Sequence, residues 1–242
     1  MQGQSQCSIF ARTMALILNI ETATDICSVG LSQDGQPIFR KDASGTFQHA
    51  SQITLLVEAC ANAADIQLAD LDAVAVSAGP GSYTGLRVGT STAKGICYAL
   101  DKPLLAIPTL ETLAHAAHLV QPGEAYFIPM IDARRMEVYT AVFDQTTNAL
   151  SETEAKIIDE AAFEEWRTQG KPIFLCGDGA EKCRAILNDP IFQYLPILCS
   201  ADHLAALAEK AFQKKQFADV AYFSPFYLKP PNITKSKKNI LG

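Results

Sequence analysis

The chain has 242 residues, 48% of them hydrophobic and 19% charged, with a formal net charge of −6 at pH 7. That length buries a large core, as one domain or as two of about 100–120 residues, and the composition excludes disordered, collagenous and low-complexity classes. An acidic body disfavours unaided gripping of nucleic acid, whose phosphates call for a basic stripe; the local exception is residues 229–242, where Lys229, Lys235, Lys237 and Lys238 stand with no acid and read as a solvated terminus, with an RNA contact as the lesser alternative.

Residues 1–13 are set aside as a leader outside the fold, with Met14 as the effective start. A strand over 16–20 ends in Glu21-Thr22-Ala23-Thr24-Asp25, and a second strand covers 26–31. Asp34-Gly35 turns the chain into 37–40, which completes an antiparallel meander. A helix of about fifteen residues starts near His49, with Ile53, Leu56, Val57, Cys60 and Ala64 on one face. A β-type run over 71–76 enters Ser77-Ala78-Gly79-Pro80-Gly81-Ser82, and a helix over 83–100 follows. The order then recurs. A strand over 126–131 ends in Asp132, turns through Ala133-Arg134-Arg135 and returns over 137–143. Helical sequence near 160–168 precedes a strand over 172–176, the loop Gly177-Asp178-Gly179-Ala180 and a helix through 185–187. The shared order predicts an α/β protein with a duplicated actin-like fold: two lobes, each a mixed sheet flanked by helices, with a cleft between them. This is the architecture of actin, the sugar and acetate kinases and the ATP-dependent heat-shock chaperones. The expected boundaries are 14–118 for the first lobe, 119–228 for the second and 229–242 for a basic tail.

The seven cysteines (Cys7, Cys27, Cys60, Cys97, Cys176, Cys183 and Cys199) are odd in number and scattered, with no Cys-x-x-Cys pair. This points to a reducing cytoplasm and away from a disulfide framework or a zinc site. No apolar run approaches the roughly 20 residues of a membrane helix. The stretch 15–20 is too short for a signal-peptide core and is followed at once by Glu21.

The most informative segment is Ala78-Gly79-Pro80-Gly81-Ser82-Tyr83-Thr84-Gly85-Leu86-Arg87-Val88-Gly89, which joins a buried strand to a helix. Gly79 and Gly81 allow backbone angles that a Cβ disfavours, Ser82 is placed to cap the helix, and free amides there suit an anion. Gly85, Gly89 and Ala93 form a small-residue ridge suited to close packing against another helix or strand. No lysine follows Gly85, so this is not a P-loop, and Pro80 and Thr84 occupy the places where a nucleophile elbow needs glycines. A phosphate cradle and a structural strand-to-helix turn both remain compatible with the segment.

With these residues the sequence resembles the TsaB (YeaZ) family. The matching pieces are Leu18-Asn19-Ile20-Glu21-Thr22-Ala23-Thr24, the run from His49 to Leu56, the glycine segment itself, Pro103-Leu104, Pro108-Thr109-Leu110-Glu111, Ile131-Asp132-Ala133-Arg134-Arg135, Glu137-Val138-Tyr139 and Cys176-Gly177-Asp178-Gly179-Ala180. The resemblance implies a part in making threonylcarbamoyladenosine at position 37 of tRNAs that read codons starting with A. It implies a scaffold without catalytic residues, paired with a catalytic TsaD-type subunit and joined by a TsaE-type ATPase, and meeting tRNA only through that complex. The metal-binding histidines of the catalytic relative fall on Thr109 and Leu113, so no metal site is expected; His115 and His118 are displaced from those positions. The Asp-x-Gly phosphate hairpins of the active superfamily become Glu21-Thr22-Ala23 and Asp132-Ala133-Arg134, without the glycine. The residual candidates for anion or nucleotide contact are Glu21, Gly79, Gly81, Ser82 and Asp132. No cofactor is expected for this subunit, with ATP and magnesium acting at the level of the complex. The resemblance also places pairing, with TsaD or with a second copy when alone, on the helices over 49–64 and 83–100. Ile53, Leu56, Val57, Leu86, Gly89 and Ala93 are the candidates for that interface or the core beneath it, and Gly89→Trp is expected to block pairing in a folded monomer. The expected location is the cytoplasm, with no membrane partner. The alternative is an ATP-dependent kinase or transferase working through Glu21 and Asp132 in an actin-like cleft; a peptidase finds no supporting constellation.

Overall fold

The computed structural model describes residues 15–44 and 49–230; the leader and the tail lysines Lys235, Lys237 and Lys238 lie outside the described residues. The meander forms as β1 (Leu16–Glu21), β2 (Ile26–Gln33) and β3 (Gln36–Ser44), paired antiparallel. Then α1 (His49–Ala63) leads to β4 (Ala73–Ser77), and α2 (Tyr83–Leu100) leads to β5 (Leu104–Ile107). β4 pairs parallel with β1 and β5 with β4, giving the order β3-β2-β1-β4-β5.

After α3 (Thr109–Val120) the pattern repeats with β6 (Tyr126–Asp132), β7 (Glu137–Thr140), β8 (Glu154–Ile157), α4 (Glu164–Arg167), β9 (Ile173–Cys176), α5 (Ala180–Cys183), β10 (Phe192–Tyr194) and α6 (Ala201–Gln213). The second sheet runs β8-β7-β6-β9-β10. Taken in chain order, both sheets are third-second-first-fourth-fifth, with the same parallel and antiparallel senses at the central strands. This is the duplicated actin-like fold.

The central strands are continuous apolar runs because both faces of each sheet are covered. Along β1 and β4, Leu18, Ile20, Val74 and Val76 face α1 and α2, where Ile53, Val57, Cys60, Ala93 and Cys97 meet them. The alternate residues Ile17, Ala73 and Ala75 face Leu204, Leu207 and Ala208 of α6. Small alanines on that side let α6 lie close to the sheet. In the second lobe Phe127, Ile131 and Phe174 pack under Leu110, Leu113 and Ala117 of α3. Tyr126, Ile128 and Leu175, on the opposite face, pack with Phe163, Ala180 and Leu187.

The helix after the fifth strand of each half therefore covers the other half's sheet. α3 closes the second core and α6 closes the first. The six described cysteines are all buried and free of disulfides. Among the described residues no helix is long and apolar enough to cross a membrane.

The second half departs from the expected elements in three places. The helix expected through 185–187 is α5, which ends at Cys183; its last turn closes with Leu187 N donating to Cys183 O at 2.8 Å and is not continued. The helix expected over 160–168 contracts to Glu164–Arg167. The strand expected over 137–143 stops at Thr140, and residue 143 pairs as an isolated bridge with Phe127. The sequence signal also missed β8 and β10. β8 is a short edge strand of partly exposed and charged residues, and β10 has three residues, so neither carries an alternating apolar pattern.

Candidate functional site

In an open α/β sheet, ligands bind beyond the carboxyl ends of the strands. Here β1 ends in Glu21, β4 in Ser77, β6 in Asp132 and β9 in the Gly177-Asp178-Gly179 loop. Glu21 has no solvent exposure. Its Oε1 accepts from the Ala23 amide at 2.6 Å, and its Oε2 has no hydrogen-bond partner among the described residues. Burial raises this carboxyl to about 7; neighbouring donors led by the Ala23 amide oppose the rise, and the charge of Asp178 adds a smaller push upward.

The β1–β2 hairpin does not stand clear of the glycine segment, as a phosphate-holding loop must. It lies directly on it. Ser82 N donates to Ala23 O at 2.7 Å, and Thr22 N donates to Ser77 Oγ at 3.2 Å. A Cβ at Gly81 would fall 2.5 Å from Ala23 O, one at Gly85 2.1 Å from Thr22 O, and one at Gly89 2.1 Å from Thr22 Oγ1. The small-residue ridge therefore receives the protein's own hairpin. His49, buried at the start of α1, braces the far end of that hairpin through Nε2 and Thr24 O, 3.0 Å apart.

Several of the loop's donors are used internally as well. Gly79 N donates to Thr109 Oγ1 at 3.2 Å, and Ser82 Oγ caps α2 by accepting from Gly85 N at 3.3 Å. Gly79 has φ +100°, and a Cβ there would fall 2.6 Å from Phe226 O. That oxygen belongs to a returning segment, residues 218–230, most of which the expected boundaries gave to the second lobe. Ala218 N donates to Leu104 O at 2.8 Å and Phe226 N to Ala78 O at 2.7 Å. Lys94 Nζ holds the carbonyls of Ala221 and Phe223 at 3.0 and 2.9 Å, and Tyr227 packs on Tyr83 with ring centroids 4.6 Å apart. Lys229 then pairs with Glu137 on the second lobe.

Across the cleft, Asp132 accepts from Arg134 N at 2.7 Å and from Lys182 Nζ at 2.5 Å. Its own amide donates to Asp178 Oδ1 at 3.1 Å. Asp178 is reached by water yet enclosed by protein. That enclosure first, with the neighbouring Asp132 charge, raises its carboxyl to about 6 against the amide's pull. Of the residues picked for anion contact, Glu21 and Gly79 are buried, Ser82 caps its helix and Asp132 carries a lysine. Thr109 and Leu113 are both fully buried, the first bound to the glycine loop and the second in the α3 core. Among the described residues no group of three or more His, Cys, Asp or Glu side chains is placed to hold a metal ion. Asp178 and Gly85 matter more than their sequence context suggested; the Gly81, Gly85, Gly89 spacing of four was the available signal for the second.

The outer surface of the first lobe is different. Between α1 and α2 runs an apolar groove of about 510 Å³, lined among others by Val57, Ala61, Ile66, Leu68, Gly95 and Ile96. A second hollow of about 360 Å³, between Ala50, Ile53, Tyr83 and Arg87, shares Thr54, Ser91 and Thr92 with it. Of the six interface candidates, Ile53 and Val57 reach the floor of these hollows while also packing in the core. Leu86 and Ala93 are fully buried, Gly89 faces Thr22, and Leu56 is half-buried against the core. The expectation that Gly89→Trp leaves a folded monomer is thereby overturned, because an indole there would displace the β1–β2 hairpin.

Residues 45–238 match a family model described as "TsaD: tRNA N6-adenosine threonylcarbamoyltransferase". The chain is 30% identical over 223 residues to the tRNA threonylcarbamoyladenosine biosynthesis protein TsaB of Escherichia coli (strain K12), covering 88% of this chain and 94% of that one. It is 28% identical over 218 residues to the protein of the same name from Bacillus subtilis (strain 168), covering 88% and 93%. Among solved structures, YeaZ from Pseudomonas aeruginosa aligns with a TM-score of 0.77 at 26% identity, covering 88% of this chain and 100% of that chain. Matched over most of its length in both sequence and structure, the chain belongs to the TsaB (YeaZ) family of tRNA threonylcarbamoyladenosine biosynthesis proteins.

Proposed function

We propose that this chain is a non-catalytic scaffold subunit, pairing through the α1/α2 face with a TsaD-type catalytic subunit and joined by a TsaE-type ATPase. The complex threonylcarbamoylates adenosine 37 of tRNAs that read codons starting with A, in the cytoplasm. The chain needs no cofactor of its own; ATP and magnesium act elsewhere in the complex, and a second copy occupies the α1/α2 face when the partner is absent. The supporting observation is the contrast between the two surfaces. The hairpin lies on the glycine loop where phosphates would enter, whereas the outer helices leave a long apolar groove open. An exposed apolar groove of this kind marks an interaction surface.

Gly95 gives the clean test. It lines the groove, and a Cβ there would meet nothing within 4 Å. Gly95→Trp is therefore expected to leave the melting temperature unchanged or slightly raised, since glycine is a poor helix former. It is expected to weaken pairing with the TsaD-type subunit at least about 100-fold by filling the groove. Size-exclusion chromatography with light scattering reads both association states. Undiminished pairing of the variant would remove this face from the proposal, and ATP turnover by the isolated wild-type chain would favour the kinase or transferase alternative.

A further inference from the structure

The β6–β7 turn bears two consecutive arginines in a conformation that ordinarily selects other residues. Arg134 and Arg135 have φ +70° and +53°, and the turn is closed by Ala133 N donating to Glu137 O at 3.1 Å. Paired left-handed positions in a tight hairpin favour Asn-Gly, because a Cβ is strained there. Both arginines are exposed, and among the described residues neither enters an ion pair. The hairpin's own acids are already occupied, Asp132 by Lys182 and Glu137 by Lys229. A strained turn that keeps two free guanidiniums in water points to a use for them outside the fold.

The returning segment brings more of the same chemistry to this rim. Lys229 is fixed to Glu137, and the Tyr139 phenol lies in the field of both Lys229 and Arg134. Two residues earlier, Tyr227 rests on Tyr83, beside the exposed Arg87 one turn further along α2. Phe226 and Tyr222 of the same segment are 50% and 87% exposed. In a chain of net charge −6, the unpaired Arg134 and Arg135 and the half-exposed Lys229 thus stand at one hairpin, Lys229 two residues along the chain from the Tyr227 ring. Arginines suit phosphate oxygens, and half-exposed rings suit unstacked bases.

We propose that the rim formed by Arg134, Arg135 and Lys229, with Tyr227 beside it, contacts the phosphate backbone of a folded RNA. The choice of RNA as the polyanion rests on the proposed place of this chain in a tRNA-modifying complex. The contact is weak and supplementary, since the body of the chain is acidic, and it gives the subunit a direct hold on the tRNA in addition to its grip on the partner.

The test uses the full chain, alone and mixed with the TsaD-type subunit, titrated against a fluorescent anticodon stem-loop RNA between about 50 and 200 mM salt. The informative variant is Arg134→Asn combined with Arg135→Gly. It should bind RNA about tenfold more weakly at the lower salt, with a log–log salt slope shallower by about 1.5. Its melting temperature should be equal or higher, because Asn-Gly relieves the turn. A merely structural role for the arginines predicts the reverse, lower stability with unchanged binding. Unchanged affinity and slope overturn the proposal, as does a wild-type chain with no salt-dependent RNA binding in either setting. A loss of partner binding with RNA binding intact also overturns it, and assigns the rim to an acidic protein surface. Pairing is read separately by light scattering, so a chain that pairs but does not bind RNA at this rim refutes only this inference. A chain that binds RNA there without pairing refutes only the scaffold.

Discussion

Gly85→Ala should yield no stably folded protein, although it adds a single methyl group in a helix that alanine would otherwise favour. The new Cβ would stand 2.1 Å from the carbonyl oxygen of Thr22, well inside contact distance. Neither side can retreat. The hairpin is pinned by Thr22 N to Ser77 Oγ and by Ser82 N to Ala23 O, and α2 is seated on the first core through Leu86 and Ala93. A clash between two fixed backbones belongs at the severe end of overpacking, about 4 kcal/mol or more. Gly89→Ala is the matched control. Its Cβ would meet a side-chain atom, Thr22 Oγ1, at 2.1 Å. That hydroxyl is buried without a hydrogen-bond partner among the described residues, so Thr22→Ala sacrifices little. Gly89→Ala is expected to cost about 2–3 kcal/mol, and Thr22→Ala should recover most of it while doing nothing for Gly85→Ala. Urea unfolding of the four variants decides the matter; equal stabilities for Gly85→Ala and the wild type would mean that the hairpin does not lie on this helix.

The second large effect is pH-dependent. Glu21 is buried, and its carboxyl is raised from 4.5 to about 7. The native state thus holds this proton more tightly than the unfolded chain. Its favourable contribution is complete below about pH 4.5, declines as pH rises and is gone above about pH 7, where the native protein must hold a buried carboxylate. Over that window the loss amounts to about 3 kcal/mol. Glu21→Gln keeps the shape and an oxygen for the Ala23 amide but has nothing to ionise. The variant should match the wild type near pH 4.5 and exceed it by about 3 kcal/mol near pH 8, with the gap opening between. A gap that is constant with pH would show that Glu21 titrates normally in the folded protein. Asp178 is raised in the same direction, to about 6. It is open to water, so its share of the trend is the smaller one.

The halves of the chain differed in how plainly they could be read. α1 and α2 were found almost to the residue because each combines a long run at helical spacing with a clear start, and α2 has the Ser82 cap. Their counterparts α4 and α5 have four residues each, too short for any periodicity to register. β8 and β10 are edge strands whose pairing comes from the neighbouring strand and not from their own residues. The glycine segment shows the limit most clearly. Its glycines stand out in the sequence, but a phosphate loop and a packing surface require the same absence of Cβ atoms, and nothing within the segment separates them.

Legible in the sequence alone were the meander and the central strands, the duplication, the first-lobe helices, the acids at the strand ends and the family. These follow from local periodicity, turn chemistry and motif spacing, all of which are written within a few residues of one another. What those residues face is set by the packing of distant segments. That packing placed Gly81, Gly85 and Gly89 against the hairpin at Thr22 and Ala23, turned Ile53, Leu86 and Ala93 inward, and left the groove beside Gly95 open. It also exchanged α3 and α6 between the lobes and brought residues 218–230 back over the glycine loop. Such contacts join segments up to about 200 residues apart in this chain, and a hydrophobic face or a missing Cβ is the same signal whichever partner covers it.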